Sequence, residues 1–194
     1  GSPAGNAFGM YGGRGRSWIA TGGPVGAVAE DPRRVWDFRE LVDRHDGHTV
    51  FYQAAPEHLP LYLELGLRPL KIGEEALVPL ATFSLEGPER RGLRRIKRQV
   101  EGAGATFAVL STPEVDAALA ELRAVSDAWL ADRATREKGF SMGRFDPTYV
   151  RRFRVAVLRT GDRIAAFATV AATSARTELS IDLMRHTPDA PEGR

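Results

Sequence analysis

The stretch from Glu178 to His186 has the residue types and the spacing of a strand that lines a polar site. Apolar and polar residues alternate, as they do along a strand with two different faces. The apolar side carries Leu179, Ile181 and Leu183. The other side carries two carboxylates and a hydroxyl, those of Glu178, Ser180 and Asp182. Such groups are costly to bury, so that side is either a solvated strand surface or the wall of a site, and alternation alone leaves both open.

Asp182 and Arg185 are the pair in this stretch that could do chemistry together. They are three residues apart, so a regular strand would send them to opposite faces. If the strand ends or bulges near Met184, both side chains can line one pocket. Bulges are frequent beside active sites, so we expect an irregularity here.

A second unusual stretch is strongly basic. Six of the nine residues from Arg90 to Arg98 are basic and none is acidic, although the whole chain has a net charge of only +2. Leu93, Ile96 and Val100 share one helical stripe, which predicts an amphipathic helix bracketed by Pro88 and Gly102. Like charges at this density indicate a polyanionic partner. Phosphate backbone of a nucleic acid is favoured, with anionic lipid head groups or plain solvent as the alternatives. The candidate RNA-binding residues are Arg90, Arg91, Arg94, Arg95, Lys97 and Arg98.

Composition excludes several classes of protein. The chain has no cysteine, so it has neither disulfides nor a cysteine-based metal or redox site. No apolar run approaches the roughly 20 residues of a membrane span, and no signal peptide is visible. Motifs of P-loops, dinucleotide-binding folds, zinc proteases and serine hydrolases are absent, and the four histidines lack metal-ligand spacing. The 194 residues suit one domain or slightly more.

The elements that would position these residues alternate between strand and helix, which predicts an α/β chain. We expect a loose, glycine-rich lead-in and a strand from Ser17 to Ala20, stopped by Gly22-Gly23-Pro24. Asp31-Pro32 is typical of a helix start, and Thr112-Pro113-Glu114 of another. Further expected strands cover residues 49–52, 70–72, 76–80 and 106–110, and a last antiparallel meander covers 154–158, 164–171 and 177–184. Further expected helices are at 59–65, closed by Gly66, and at 146–149.

The chain resembles the aminoacyl-phosphatidylglycerol synthases, also called the multiple peptide resistance factor or phosphatidylglycerol lysyltransferase family, in their C-terminal catalytic domain. The strongest match is Ile181-Asp182-Leu183-Met184-Arg185-His186 followed by Thr187-Pro188-Asp189-Ala190-Pro191. Other matching motifs follow one another from about residue 17 to the end: Phe51-Tyr52-Gln53, Leu59-Pro60-Leu61-Tyr62, Leu65-Gly66-Leu67, Lys71-Ile72-Gly73-Glu74-Glu75-Ala76, Phe83-Ser84-Leu85-Glu86-Gly87, Ser126-Asp127-Ala128-Trp129-Leu130, Glu137-Lys138-Gly139-Phe140-Ser141 and Ala165-Ala166-Phe167-Ala168.

This resemblance implies two consecutive acetyltransferase-like (GNAT) folds. On that basis we expect a flexible lead-in at 1–16 and a first acetyltransferase-like domain at 17–150. That domain would hold the basic helix 88–102 and a long helix 112–133. The start of a second, incomplete domain would occupy 151–194. Later segments of the family's second repeat have no counterpart here, so we expect a truncated chain or a piece of a longer protein. In the family a membrane-embedded domain commonly precedes this region, and the sequence leaves open whether one does here.

The resemblance also implies a reaction. An aminoacyl group, lysyl or alanyl, would pass from aminoacyl-tRNA to the glycerol hydroxyl of phosphatidylglycerol, without metal or cofactor, at the cytoplasmic face of the bacterial inner membrane. This lowers the membrane's negative charge and protects against cationic peptides. Asp182 and Arg185 match the family's essential residues. Asp182 would take the hydroxyl proton or hold the α-ammonium, and Arg185 would hold the lipid phosphate or an oxyanion. Glu178, Ser180 and His186 would contact substrate.

Two other classes of function are kept open. One is a non-catalytic module that binds tRNA or anionic membranes through the basic helix. The other is an acyl-CoA-dependent N-acyltransferase, although the glycine-rich pyrophosphate loop that it needs is not found in the sequence.

Overall fold

A computed structural model describes residues 7–26, 33–137, 139–141 and 143–191. The chain divides into two compact units, residues 1–77 and 78–194. Each is a mixed α/β unit with its own sheet, so the predicted α/β class is confirmed, and the arrangement is consistent with an acetyltransferase-like fold. Within the described ranges, no helix is both long and apolar enough to cross a bilayer.

The first unit is a three-stranded sheet with one packed helix. Strands β1 (Ala7–Arg14) and β2 (Ser17–Gly26) form an antiparallel hairpin, and β3 (His48–Tyr52) pairs parallel with β2. Helix α1 (Arg33–Arg44) makes the crossover between β2 and β3, and the short helix α2 (Leu59–Glu64) follows. Val35, Tyr62 and Leu65 form the buried cluster, and Gly66 ends α2 at a positive φ of 75°, as predicted.

Two predictions for the β1–β2 hairpin were wrong. Residues 7–14, expected to be part of a loose lead-in, form β1, because pairing with β2 outweighs the poor strand propensity of their glycines. Gly22-Gly23-Pro24 does not stop β2. Instead the pairing of the two strands shifts register there. The five residues from Thr21 to Val25 lie opposite the three residues from Phe8 to Met10, so β2 bulges and continues. The predicted helix start at Asp31-Pro32 lies outside the described residues.

Residues 67–87 contain neither helix nor strand, so the strands predicted at 70–72 and 76–80 were also wrong. Their apolar side chains are largely exposed, with Leu70 at 81% and Leu77 at 79%. A strand needs a neighbour to satisfy its backbone hydrogen bonds, and no strand pairs with these residues. Periodicity by itself does not supply that neighbour.

The second unit is a four-stranded antiparallel sheet with one long helix against it. Its strands are β4 (Ala105–Leu110), β5 (Arg154–Thr160), β6 (Arg163–Ala172) and β7 (Leu179–His186), paired in that order. A short 3₁₀ turn leads into α3 (Arg91–Gly102), and α4 (Thr112–Asp132) and α5 (Pro147–Val150) complete the unit. The cap of α4 is Ser111, one residue earlier than predicted, because Ser111 and Glu114 bond each other reciprocally.

The expected domain boundary at residue 150 falls inside this unit. Strand β4 pairs with β5 along its full length, and α4 packs against both β6 and β7. Val115, Leu122, Val157 and Phe167 belong to one core cluster that spans residues 115–183. Residues 154–186 therefore complete a sheet that β4 begins, and they share one core with residues of α4.

Candidate functional site

A bulge in β7 sets the direction of the candidate residues. Met184 pairs with Ala168 and Ile181 pairs with Val170, so Asp182 and Leu183 together face the single residue Thr169. Thr169 Oγ1 accepts a hydrogen bond from the Leu183 backbone N–H at 3.0 Å, which satisfies the amide displaced from the ladder. The irregularity expected near Met184 is thus present. It turns Asp182 to the same side of the sheet as Leu183 and Arg185.

The Asp182 carboxylate is half-buried and held by two neutral donors. The Gly143 backbone N–H lies 2.9 and 3.0 Å from its two oxygens, and the Tyr149 hydroxyl donates to Oδ2 at 2.5 Å. No lysine or arginine pairs with Asp182 among the described residues. Within the described part of the chain its negative charge is thus oriented without a paired cation, a state suited to receiving a positively charged group.

Arg185 is held more tightly and is closed to solvent. Only 6% of the residue is exposed. Its Nη2 donates to Glu137 Oε2 at 2.7 Å, and its guanidinium carbon lies 4.0 Å from the centroid of the Trp129 ring. Its Nη1 is buried without a hydrogen-bond partner in the described part of the chain. The guanidinium thus combines a charge-assisted hydrogen bond with a cation–π contact.

One connecting segment, residues 137–149, holds both charged groups. Glu137 uses Oε2 for Arg185 and Oε1 for the Phe145 backbone N–H, at 3.1 Å. Gly143 and Tyr149 in the same segment bond Asp182. The structure therefore brings Asp182 and Arg185 to a shared framework on the α4 side of the sheet, and each keeps its own partner.

Sequence reasoning assigned no role to Glu137, Gly143, Tyr149 or Trp129. The signal was present, because Glu137 and Trp129 lie in motifs that carried the family resemblance and Gly143 lies in a glycine-bearing loop. What the sequence did not show is the contact of these residues with β7, which begins more than 25 residues later.

The other residues predicted to contact substrate lie outside the hydrogen bonds that hold Asp182 and Arg185. Glu178 and Ser180 are exposed, and neither side chain has a hydrogen bond to Asp182. The His186 ring is half-buried, with Nε2 3.3 Å from Arg133 Nη2 and Nδ1 3.0 Å from the Thr187 carbonyl oxygen. Since arginine only donates, His186 Nε2 accepts and Nδ1 carries the proton. Arg133 also lies over Trp129, at 4.9 Å, so this indole contacts two guanidinium groups.

The basic helix α3 divides into two sets of side chains. Arg94 donates to the carbonyls of Leu85 and Gly87, Arg90 lies over the Phe83 ring at 5.5 Å, and Lys97 pairs with Glu101. The other three, Arg91, Arg95 and Arg98, are exposed and have no acidic partner among the described residues. Their spacing of four and three residues aligns them along one side of the helix, which we call the arginine ridge.

Comparison with known proteins identifies the family. The family described as "Phosphatidylglycerol lysyltransferase, C-terminal" matches residues 1–194. The chain belongs to this family. This match confirms the resemblance read from the motifs.

Within the described residues, no three histidine, aspartate or glutamate side chains are grouped so as to hold a metal ion.

Relatives with the same name are much longer than this chain. A phosphatidylglycerol lysyltransferase of Bacillus subtilis (strain 168) is 38% identical over 99% of this chain, which covers 22% of that protein. One of Staphylococcus aureus (strain MRSA252) is 31% identical over 95% of the chain, again 22% of the relative.

Two solved structures show the same fold. The C-terminal domain of a candidate lysylphosphatidylglycerol synthetase from Agrobacterium fabrum superposes with a TM-score of 0.91 at 44% identity. The L-PGS of Bacillus licheniformis superposes with a TM-score of 0.87 at 38% identity. Each match covers 99% of this chain and 61% of the solved chain.

The tight approach of Gly143 to Asp182 gives a direct test of the site. A Cβ at residue 143 would lie 2.2 Å from Asp182 Oδ2 and 2.7 Å from Tyr149 Cε1, so Gly143→Ala must displace the carboxylate. We expect this variant to lose some thermal stability and, if Asp182 acts on substrate as proposed below, most of the activity. Gly139→Ala in the same loop is the matched control, because its Cβ would meet nothing within 4 Å. Equal activity of the two variants would show that the position of Asp182 is unimportant.

Tyr149 gives a pH-dependent test. The pKa of its hydroxyl is raised to about 12, mainly by burial and in addition by the hydrogen bond to Asp182 and the negative charge of Asp182. The unfolded chain binds this proton less tightly, with a pKa near 10.0, so the stabilisation is complete below pH 10 and is lost as the pH rises to 12. In urea unfolding, the stability difference between the wild type and Tyr149→Phe should shrink over this interval. A constant difference would contradict the assigned contact.

Proposed function

We propose that this chain forms part of an enzyme that transfers a lysyl group from aminoacyl-tRNA to the glycerol hydroxyl of phosphatidylglycerol. The observation that carries the proposal is the Asp182–Arg185 framework on β7, in a chain that belongs to the lysyltransferase family throughout its length. The names of the relatives support lysine as the transferred residue and phosphatidylglycerol as the acceptor. Aminoacyl-tRNA as the donor rests on the motif resemblance.

The reaction exchanges one ester for another. The glycerol hydroxyl oxygen attacks the aminoacyl carbonyl carbon, the ester bond to the tRNA ribose breaks, and the hydroxyl proton passes to the ribose oxygen that leaves. Because the ester formed resembles the ester broken, positioning and charge stabilisation are expected to supply much of the rate.

Asp182 is the residue best placed to touch a substrate. Gly143 and Tyr149 use only part of the acceptor capacity of a carboxylate, which has about four lone-pair positions. The remaining capacity, and a negative charge that no described lysine or arginine pairs with, suit the α-ammonium group of the aminoacyl donor. The same oxygens could instead take the proton of the attacking hydroxyl, the other role expected for Asp182.

Arg185 is better suited to positioning than to binding the lipid phosphate. Both the burial of its guanidinium and its bond to Glu137 would have to change before a phosphate could reach it. In its observed position, Arg185 fixes the Glu137 carboxylate by a hydrogen bond. Glu137 in turn accepts a hydrogen bond from the Phe145 backbone N–H, and Phe145 lies two residues after Gly143. We propose that Arg185 supports Asp182 through this segment, and that direct contact with substrate falls to Asp182.

The arginine ridge of α3 is the proposed contact for tRNA. Its three guanidinium groups are exposed, aligned and without an acidic partner among the described residues, as a phosphate backbone requires, and Arg98 makes only a long hydrogen bond of 3.4 Å to the Arg94 carbonyl. Arg90, Arg94 and Lys97, also predicted to bind tRNA, have partners within the chain and are proposed to play a lesser part.

The proposed reaction takes place where its acceptor is, at the membrane surface, on the cytoplasmic side where charged tRNA is available. Adding lysine to phosphatidylglycerol replaces a net negative lipid with a net positive one, so cationic peptides would be attracted less strongly.

Membership of the lysyltransferase family does not favour an acyl-CoA N-acyltransferase. If no transfer is found, the alternative of a non-catalytic module that binds tRNA or anionic membranes is favoured.

Replacing Asp182 tests the catalytic assignment. In the natural protein that carries this sequence, Asp182→Asn should lower lysyl-phosphatidylglycerol formation about 100-fold or more, because the oriented negative charge is lost. The measurement uses radiolabelled lysyl-tRNA and phosphatidylglycerol vesicles, with tRNA affinity measured separately and expected to be unchanged. Asp162→Asn, in the exposed turn between β5 and β6, is the control. Undiminished transfer by Asp182→Asn would remove this residue from the mechanism, and no transfer by the wild type would reject the proposed function.

The arginine ridge is tested by its salt dependence. Arg91, Arg95 and Arg98 changed together to Gln should weaken tRNA binding and reduce the slope of log affinity against log salt by about one per side chain. Glutamine keeps the helix intact because its helix propensity is similar to that of arginine. A control with Arg14, Arg68 and Arg152 changed to Gln removes the same charge from other exposed positions. Equal losses in both triple variants would indicate a general charge effect and contradict a specific ridge.

A further inference from the structure

Trp129, near the C-terminal end of α4, contacts two guanidinium groups with one ring. The guanidinium carbon of Arg185 lies 4.0 Å from the ring centroid, and that of Arg133 lies 4.9 Å from it. Both distances are inside the limit of about 6 Å within which an aromatic face attracts a cation, and indole gives the strongest attraction of the aromatic side chains. The ring therefore does more than fill space at this position.

Hydrogen bonding alone does not hold the Arg185 side chain. Its Nη2 donates to Glu137 Oε2 at 2.7 Å, but its Nη1 is buried and has no hydrogen-bond partner among the described residues. Arg185 is only 6% exposed, so water does not compensate its charge fully. A cation–π contact is stronger at such a desolvated place than at the surface. The Trp129 ring is thus a principal restraint on the orientation of this guanidinium.

The second cation of Trp129 extends the contact to the next residue of β7. Arg133 follows Trp129 by four residues, the spacing of neighbours on one side of a helix. Arg133 Nη2 donates to His186 Nε2 at 3.3 Å. Arg185 and His186 are the last two residues of β7. Through Trp129 and Arg133, the C-terminal end of α4 therefore holds the end of β7.

A short series of hydrogen bonds connects Arg185 with Asp182. The Glu137 carboxylate that Arg185 binds also accepts the Phe145 backbone N–H at 3.1 Å. Phe145 lies two residues after Gly143, whose backbone N–H donates to both oxygens of Asp182. A guanidinium that rotated away from Glu137 would release one support of this segment. The orientation of Arg185 therefore affects the position of Asp182.

We propose that Trp129 is a positioning residue for the transfer reaction. Its ring holds the Arg185 guanidinium in the orientation that binds Glu137, and this keeps Gly143 beside Asp182. In this role Trp129 acts through Arg185 and touches no substrate. Its effect on activity rests on the proposed function, whereas its effect on the geometry of Arg185 and Gly143 does not.

Two variants of similar side-chain size separate the ring from the volume. Trp129→Phe keeps an aromatic face, and Trp129→Leu keeps apolar bulk without one. Nuclear magnetic resonance of the 194-residue chain reports both ends of the series. The side-chain N–H protons of Arg185 lie over the ring and should be shifted upfield by its ring current, and the Gly143 amide proton should be shifted downfield by its bond to Asp182.

We expect Trp129→Leu to remove the upfield shift of Arg185 and to move the Gly143 signal upfield, because the guanidinium loses its restraint. Trp129→Phe should keep both signals close to those of the wild type. Trp36→Leu is the matched control, since Trp36 is a 44% exposed tryptophan of α1 in the first unit. It should leave both signals unchanged.

Activity is measured in the natural protein that carries this sequence, with lysyl-tRNA and phosphatidylglycerol vesicles. Trp129→Leu should lower transfer about tenfold or more, because small displacements of a reacting group are costly. Trp129→Phe should retain about a third of the wild-type rate or more, since the ring still faces Arg185. The affinity for tRNA should be unchanged in both variants, because neither alters the arginine ridge.

Three results would overturn the inference. The first is an Arg185 side chain without an upfield shift in the wild type, a measurement that needs no variant to fold. The second is an equal change of the Arg185 and Gly143 signals in Trp129→Phe and Trp129→Leu, which would show that only volume matters. The third is undiminished transfer by Trp129→Leu with its Gly143 signal moved. Absence of transfer by the wild type rejects the proposed function instead, and the resonance shifts still decide whether the ring holds Arg185.

Discussion

The extra residue in β7 is the constraint on which the candidate site depends. In a regular strand, side chains alternate between the two faces, and Asp182 and Arg185 would then lie on opposite sides of the sheet. Because Asp182 and Leu183 share one partner, Thr169, the alternation is reset and both charged residues face α4. The Thr169 hydroxyl accepts the Leu183 amide that would otherwise be unpaired, so the irregularity does not leave a buried donor unsatisfied.

The site gives its two opposite charges separate partners, so they do not neutralise each other. Asp182 receives hydrogen bonds from neutral donors, whereas Arg185 is paired with Glu137 and stacked on Trp129. If Arg185 paired with Asp182 instead, the carboxylate would have little attraction for a cationic substrate. Segment 137–149 prevents this, because it supplies Glu137 to one charge and Gly143 and Tyr149 to the other. The role proposed for Asp182 thus depends on residues whose own contribution is structural.

The basic helix shows why the composition of a segment overstates its binding surface. Six basic residues made α3 a candidate for a polyanion, but three of them are engaged with a ring, two carbonyls and a carboxylate of the same chain. These contacts attach residues 83–87 to the helix. Only Arg91, Arg95 and Arg98 are left as a surface. In the first unit the reverse holds, because no pattern of residues predicted that Arg34 would line an apolar cavity between the β1–β2 hairpin and α1.

The sequence by itself determined the family, the amphipathic helices, the antiparallel meander and the need for an irregularity in β7, because these are properties of neighbouring residues. It did not predict β1, because the glycines of this segment have low strand propensity and the strand forms by pairing with β2. It also did not predict the division of the chain near residue 77. Nor did it give the partners of Asp182 and Arg185. Gly143 and Tyr149 are 39 and 33 residues from Asp182, and Glu137 is 48 residues from Arg185. Only the closure of the β4–β7 sheet against α4 brings such distant residues within hydrogen-bond distance, and local periodicity carries no information about that closure.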